Sequence, residues 1–149
     1  MQGIIFDLDG VICFTDKFHY QAWKKLADRL GIYFDEEINN RLRGVSRMDS
    51  LDIILERSDA KYTNEEKAAF AEEKNETYKE LLMQMSTADL SGEVKDTLNE
   101  LRKRGYKLAI GSSSKNTRTI LDRIGLGDFF DKISDGTNIS KSKPDPEVF

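Results

Sequence analysis

The sequence places one strand-like segment at its beginning and separates it from all others by a long helical stretch, an order that strongly constrains the fold. Residues 3–8 are apolar except for Asp7 and are closed by Asp9-Gly10, a pattern typical of a buried strand followed by a turn. No convincing strand interrupts residues 16–85, where helical spacing and propensity prevail. This stretch is therefore predicted to be a helical insert.

The first helix of the insert is predicted at Asp16–Leu30, where apolar residues recur at spacings of three and four and Gly31 closes the run. Its apolar face consists of His19, Ala22, Trp23, Leu26, Ala27 and Leu30. Further helices are predicted at residues 35–42, 47–57 and 64–85.

After residue 88 the pattern changes to an alternation of helices and strands. A helical face ends at Gly105 and is followed by a strand at residues 106–110, a helix at 117–124, a strand at 130–133 and a helix starting near Pro144. Such alternation predicts an α/β fold with a doubly wound, Rossmann-like parallel sheet. We expect this core at residues 1–14 and 88–149, with an α-helical cap domain inserted at residues 15–87.

Composition excludes several classes of function. The formal net charge of −4 does not suit binding to a nucleic acid, and the apolar opening is broken too soon by Asp7 and Asp9 for a signal peptide or a membrane span. The single cysteine, Cys13, cannot form an internal disulfide and has apolar neighbours, which predicts a packed, inert thiol. These features predict a cytoplasmic protein with neither nucleic acid nor membrane as a partner.

Two aspartates separated by one residue lie at the end of the first predicted strand. Asp7 and Asp9 would repel each other unless a cation lay beside them. A divalent ion would neutralise Asp7 and an incoming phosphate, so that Asp7 could attack phosphorus while Asp9 donated and recovered a proton. The alternative is an ordinary aspartate-glycine turn.

Residues 6–11, Phe-Asp-Leu-Asp-Gly-Val, resemble the first motif of the haloacid dehalogenase superfamily, which includes phosphatases and mutases. The resemblance implies that Asp7 is the phosphorylated nucleophile and a magnesium ligand. It also implies that Asp9 is the general acid/base, with its backbone carbonyl on the same ion. Mg²⁺ is thus the expected cofactor.

Two later segments match the superfamily's other phosphate motifs. Residues 112–114, Ser-Ser-Ser, lie between a predicted strand and a helix, where N–H groups and hydroxyls can hold a phosphate, although a plain serine cap is the alternative. By resemblance, Ser112 binds the transferring phosphoryl group, and Lys143 before Pro-Asp-Pro neutralises nucleophile and phosphate. A solvated lysine is the alternative for Lys143.

A narrower resemblance, to the β-phosphoglucomutase family, rests on residues 15–23 and on residues 43–47, Arg-Gly-Val-Ser-Arg. It implies that Thr15 belongs to an interdomain hinge, that His19 contacts the hinge and helps align the general acid, and that Arg47 grips the phosphate that is not transferred. A packed histidine and a solvated arginine are the alternatives. The remaining residues implied to bind substrate or phosphate are Trp23, Arg43, Gly44, Ser113, Ser114, Lys115 and Asn116.

The superfamily's fourth motif, an acidic pair that completes the magnesium site, would be expected beyond Phe149 and is absent from these 149 residues. We therefore expect an incomplete core and weak magnesium binding by this chain alone.

The resemblance implies interconversion of β-glucose 1-phosphate and glucose 6-phosphate through an aspartyl-phosphate and glucose 1,6-bisphosphate. The complete enzyme is expected to be a monomer. A sugar-phosphate phosphatase and a non-catalytic sugar-phosphate-binding fragment are the alternatives.

Overall fold

The computed structural model describes residues 2–141 and 143–149 and divides the chain into two compact units. The unit that we call the sheet unit comprises Met1–Thr15 and Leu82–Phe149. The helical unit is Asp16–Leu81. The chain thus leaves the sheet unit after Thr15 and returns to it at Leu82.

Four helices form the helical unit, and the first has the predicted bounds. They are α1 (Asp16–Leu30), α2 (Glu36–Asn40), α3 (Arg47–Leu55) and α4 (Asn64–Leu82). The second begins after Asp35, because the Asp35 side chain accepts the Ile38 N–H at 2.9 Å and so caps the helix. The third and fourth end two and three residues earlier than predicted, within the usual uncertainty of helix ends.

The helical unit has its own hydrophobic core. Side chains from all four helices and from the α1–α2 connection meet in one buried cluster. Its members are Trp23, Leu26, Ala27, Ile32, Phe34, Ile38, Leu42, Leu51, Ile54 and Ala71. The periodic apolar face of α1 supplies Trp23, Leu26 and Ala27, so the spacing in the sequence identified the buried side of that helix.

The sheet unit contains the predicted parallel sheet. Its strands are β1 (Gly3–Phe6), β2 (Lys107–Gly111) and β3 (Lys132–Ser134), in the order β1-β2-β3. Helices α5 (Gly92–Lys103) and α6 (Thr117–Arg123) provide the crossovers, and 3₁₀ turns lie at Thr87–Asp89 and Pro146–Val148. The buried core of this unit includes Leu98, Leu108, Ile110, Ile120, Leu121 and Ile124.

The prediction that residues 3–8 form a buried strand is wrong in two respects. The strand ends at Phe6, because the Leu8 carbonyl accepts the Ile12 N–H at 2.9 Å and commits the chain to a turn. In the described part of the chain β1 pairs with β2 alone, and Ile5 remains 47% exposed. The apolar composition of this segment therefore predicted a strand, but it did not indicate that the strand lies at the edge of this sheet.

The third strand begins two residues later than predicted. The Asp131 carboxylate accepts the Leu108 N–H at 2.8 Å, so a side chain replaces the strand partner at that point. Pairing with β2 then runs from Lys132 to Ser134. Nowhere in residues 2–141 and 143–149 is there a helix long and apolar enough to cross a membrane.

Candidate active site

The three strands end side by side and each is followed by a polar residue. The register pairs Phe6 with Ile110 and Gly111 with Ser134. Asp7, Ser112 and Asp135 therefore follow directly at one edge of the sheet. The carboxyl edge of a parallel sheet is where ligands bind in open α/β folds, because successive loops converge there.

Asp7 forms an ion pair with a lysine from the far end of the chain. Lys143 Nζ lies 2.8 Å from Asp7 Oδ1 and donates to the Gly111 carbonyl oxygen at 3.3 Å. The Leu8 N–H donates to the same Oδ1 at 2.8 Å. Both donors contact Oδ1, so among the described residues Oδ2 remains available, and the Asp7 side chain is 45% exposed. The lysine holds the carboxylate in a fixed orientation, as a nucleophile requires.

Asp9 is held by Thr15, the last residue before the chain leaves the sheet unit. The Thr15 hydroxyl donates to Asp9 Oδ1, and Thr15 itself is 1% exposed. The bond fixes the carboxylate from one side and links it to the point where the chain leaves the unit. An oriented carboxyl group of this kind suits proton transfer to or from a bound oxygen.

The serine segment is shaped by its own hydroxyls. Ser112 Oγ accepts the Ser114 N–H, and Ser114 Oγ accepts the Asn116 N–H, each at 3.1 Å. The Ser112 N–H donates to the Ser134 carbonyl, and the Thr117 hydroxyl donates to the Ser114 carbonyl. Since both serine hydroxyls act as acceptors here, each can still donate its proton to a phosphate oxygen. The segment is thus a preformed turn at the strand end.

Two further residues at this edge of the sheet were missed by the sequence analysis. Asp135, 1% exposed, accepts the Thr137 N–H at 2.9 Å and lies 3.5 Å from Arg118 Nε. Gly136 donates its N–H to the Ser114 carbonyl at 3.0 Å. Both residues follow the third predicted strand, and parallel strands end at the same edge of a sheet. Their positions in the sequence could therefore have identified them as residues near the site.

Replacing Gly136 by alanine is expected to displace the serine turn. An added Cβ would overlap the Ser113 carbonyl oxygen and lie 2.9 Å from the Lys115 backbone nitrogen. We expect a loss of about 1–3 kcal/mol in the free energy of unfolding, the usual effect of forcing an extra methyl into a packed place. Urea denaturation measures this directly. Gly92→Ala is the control because a Cβ there meets nothing within 4 Å, and equal stability of the two variants would contradict the prediction.

The predicted site residues of the helical unit fall into two separate groups. His19, Trp23 and Arg47 lie around Lys74, which the sequence analysis did not identify. Lys74 Nζ is 2.8 Å from His19 Nδ1 and 4.8 Å from the centre of the Trp23 ring. Lys74 belongs to the charged run of α4, which by itself indicates only a solvated face.

Arg43 and Gly44 form the second group. The Arg43 guanidinium pairs with Asp16 at 3.1 Å and contacts Asn40 Oδ1 at 3.3 Å. Gly44 has φ +72°, a backbone conformation that favours glycine. These contacts hold the turn before α3.

Burial sets the ionisation of two groups in these segments. It is the main cause that lowers the pKa of His19 to about 3, with Lys74 and Arg47 as further causes. It also raises the pKa of Cys13 to about 12, with Asp9 and Asp89 adding to the effect. Cys13 is 1% exposed, which confirms the predicted packed thiol, and at neutral pH it stays protonated.

A magnesium site would have to rely on few protein ligands. Within residues 2–141 and 143–149, no group of three or more His, Cys, Asp or Glu side chains could hold a metal ion. Asp7 Oδ2 and the Asp9 backbone carbonyl are oxygen donors two residues apart. Mg²⁺ commonly keeps several waters and binds one or two carboxylates together with substrate phosphates, so this donor set fits it.

The sequence model of the haloacid dehalogenase-like hydrolases matches residues 4–149. The chain belongs to this family. The haloacid dehalogenase-like chain is 40% identical over 151 residues to β-phosphoglucomutase of Bacillus subtilis (strain 168), covering 100% of this chain and 67% of that protein. The predicted resemblance is therefore confirmed.

Two other relatives extend the comparison. The crystal structure of a β-phosphoglucomutase from Clostridium difficile superposes with a TM-score of 0.87 at 41% identity, covering 100% of this chain and 68% of that one. A phosphorylated carbohydrates phosphatase of Thermotoga maritima is 29% identical over 152 residues, covering 100% of this chain and 68% of the relative. Both mutases and phosphatases are thus relatives of this haloacid dehalogenase-like chain, and they confirm its fold class.

Proposed function

We propose that this protein interconverts β-glucose 1-phosphate and glucose 6-phosphate through an aspartyl-phosphate on Asp7 and a bisphosphate intermediate. The observation that carries the proposal is the ion pair of Lys143 with Asp7, 2.8 Å long, beside the serine turn. The 40% identity to a β-phosphoglucomutase supports the choice of reaction within the family. A magnesium ion bound by Asp7 and the Asp9 carbonyl would neutralise the charge of the incoming phosphate.

In this proposal a carboxylate oxygen of Asp7 attacks the phosphorus atom of the bisphosphate. Lys143 offsets the charge shared by Asp7 and the phosphoryl group, which would otherwise repel each other. The Ser112 and Ser114 hydroxyls donate to phosphoryl oxygens. The bond from phosphorus to the sugar oxygen breaks as the bond to Asp7 forms.

Asp9 supplies the proton that the departing sugar oxygen needs. In the reverse half-reaction Asp9 takes a proton from the attacking sugar hydroxyl, so that its ionisation state is restored. Thr15, bonded to Asp9 Oδ1, keeps the carboxyl group in one orientation. Thr15 is a positioning residue, because it acts through Asp9.

The helical unit is proposed to hold the phosphate that is not transferred. Arg47 offers a guanidinium with a fixed pair of donors, which matches the oxygens of a phosphate. The turn at Arg43 and Gly44 is proposed to cover the sugar. On this basis we propose that the helical unit is the cap and the sheet unit the catalytic core.

A sugar-phosphate phosphatase is the second candidate. The observation that favours it is the relationship to the Thermotoga maritima phosphatase of phosphorylated carbohydrates. A phosphatase would share Asp7, Asp9, Ser112 and Lys143 but would pass the phosphoryl group to water. The two reactions differ in whether a sugar or water receives the phosphoryl group. The residues around Asp7 and the fold are common to both, so they do not distinguish the mutase from the phosphatase.

One assay separates the two candidates. The protein encoded by the complete reading frame is incubated with β-glucose 1-phosphate, magnesium and a trace of glucose 1,6-bisphosphate. Glucose 6-phosphate and free phosphate are then both measured. We expect glucose 6-phosphate in large excess, whereas stoichiometric release of free phosphate would establish the phosphatase.

Arg47→Ala is expected to impair turnover of sugar phosphates far more than phosphorylation by acetyl phosphate. Only the sugar substrates carry a second anionic group, and loss of a charge-assisted contact typically costs about 1.5–3 kcal/mol, or roughly 10–100-fold. The kcat/KM values for both donors measure the difference. Arg41→Ala is the matched control, because Arg41 is an exposed arginine of the same unit that pairs with Glu56. Equal losses with both donors would mean that Arg47 acts through stability.

A further inference from the structure

Glu147 is an exposed glutamate whose carboxylate accepts three donors from one short stretch of the chain. The Ser140 N–H donates to Oε1 at 2.8 Å, and the Lys141 N–H donates to Oε2 at 2.7 Å. The Ser140 hydroxyl is the third donor, 2.9 Å from Oε2. Both oxygens of the carboxylate therefore hold the backbone of two residues that lie several positions earlier in the sequence.

Lys143 lies inside the loop that this contact closes. It follows Ser140 and Lys141 in the sequence and precedes Glu147. Its Nζ is the atom that pairs with Asp7 Oδ1 at 2.8 Å. A lysine ammonium group is carried on a flexible four-carbon stem, so its position depends on how firmly the backbone beneath it is held. The residues that Glu147 holds are thus close neighbours of the cation at the nucleophile.

The two ends of this loop differ in how they are anchored. Ser140 and Lys141 are exposed and belong to no helix or strand. Glu147 instead lies in the 3₁₀ turn at Pro146–Val148, where Val148 is only 2% exposed. The Glu147 side chain therefore connects an exposed segment to a turn that is fixed by the core.

The contact acts on the backbone and not directly on the lysine charge. In the described part of the chain no ion pair joins Glu147 to Lys143, and the carboxylate partner of Lys143 is Asp7. The Ser140 N–H, followed by the Ser140 hydroxyl, lowers the pKa of Glu147, so the acceptor is a carboxylate at neutral pH. Hydrogen bonds to a charged acceptor are stronger than those between neutral groups. Glu147 thus clamps the loop from which Lys143 extends.

We propose that Glu147 is a positioning residue for phosphoryl transfer, because its carboxylate closes the loop between Ser140 and itself and so holds Lys143 Nζ against Asp7. A fixed ammonium group stabilises the charge of the transition state without having to reorganise during the reaction. The catalytic role of Lys143 and Asp7 rests on the proposed function. The clamp itself rests on the contacts of Glu147.

Glu147→Ala tests the proposal in the protein encoded by the complete reading frame. We expect phosphorylation of Asp7 by acetyl phosphate, measured in a single turnover, to slow by about 10–100-fold, the scale of a misplacement of roughly 1 Å. The donor is chosen because a mutase and a phosphatase both form the aspartyl-phosphate. Glu93→Ala, at an exposed glutamate of the same unit, is the matched control and should keep the normal rate.

A double-mutant cycle shows whether Glu147 acts through Lys143. The rate is measured for Glu147→Ala, for Lys143→Met and for the double variant. If the clamp works by placing Lys143, Glu147→Ala should cause little further loss once the lysine is gone, whereas a general effect on structure would multiply the two losses. Ser140→Ala removes one of the three donors and should give a smaller loss. It provides the same cycle if Glu147→Ala does not fold.

A second readout does not depend on activity. ¹³C relaxation of the lysine Cε groups gives an order parameter for each side chain, and the Lys143 signal is identified by its loss in Lys143→Met. We expect the Lys143 order parameter to fall in Glu147→Ala and to stay unchanged in Glu93→Ala. Absence of label on the unmodified protein would contradict the proposed function, and the order parameter would then decide the clamp alone. A normal rate in Glu147→Ala, losses that multiply in the cycle, or an unchanged order parameter would each overturn the proposal.

Discussion

Asp7→Asn is expected to abolish formation of the phosphoenzyme and to lower turnover by at least about 10⁴-fold, because the amide keeps the shape of the side chain but lacks the anionic nucleophile. The fold should be little affected. Asp7 is 45% exposed, and the ion pair that it forms with Lys143 belongs to a class worth about 0–1 kcal/mol. The measurement is retention of radiolabel after incubation with labelled phosphate donor and an acid quench.

The matched control is Asp96→Asn, the same change on the exposed face of α5. This variant should retain label like the unmodified protein. Thermal unfolding of both variants checks that neither has lost its structure. Acid-stable label on a folded Asp7→Asn protein would show that the nucleophile is another residue.

Asp9→Asn is expected to slow phosphoryl transfer from glucose 1,6-bisphosphate by roughly 10²–10⁴-fold, the usual worth of a positioned acid or base. The asparagine can still accept the hydrogen bond from Thr15, so the geometry should be preserved. Transfer from acetyl phosphate should suffer much less, because acetate leaves without needing a proton. The ratio of rates with the two donors is therefore the measurement.

Thr15→Val provides the comparison for this prediction. It removes the hydroxyl that orients Asp9 and leaves the carboxyl group in place, so a smaller loss with the same donor dependence is expected. If Asp9→Asn slowed both donors equally, Asp9 would act on the site as a whole and its assignment as general acid/base would be wrong.

The local sequence was sufficient for features that depend on neighbours along the chain. The spacing of apolar residues defined both ends of α1 and its buried face, because helical periodicity records which side meets the core. The alternation after residue 88 predicted a parallel sheet. Asp7 and Asp9 were placed at the end of a strand, although the predicted strand ran two residues too far, to Leu8.

Only the tertiary structure decided which distant residues meet. Lys143 reaches Asp7 because the loop after β3 returns to the edge of β1, and no periodicity encodes that contact. The exposure of Ile5 depends on which strands flank β1, whereas composition records only that the strand is apolar.

Lys74 shows the same limit most clearly. In the sequence it is one charge among many on α4, and its spacing is that of a solvated face. It is buried because side chains from α1 and α4 enclose it, while Arg47 from α3 adds a second positive charge. The burial of one atom and the electrostatic field at it depend on neighbours from several separate elements. They are therefore determined only when those elements pack together.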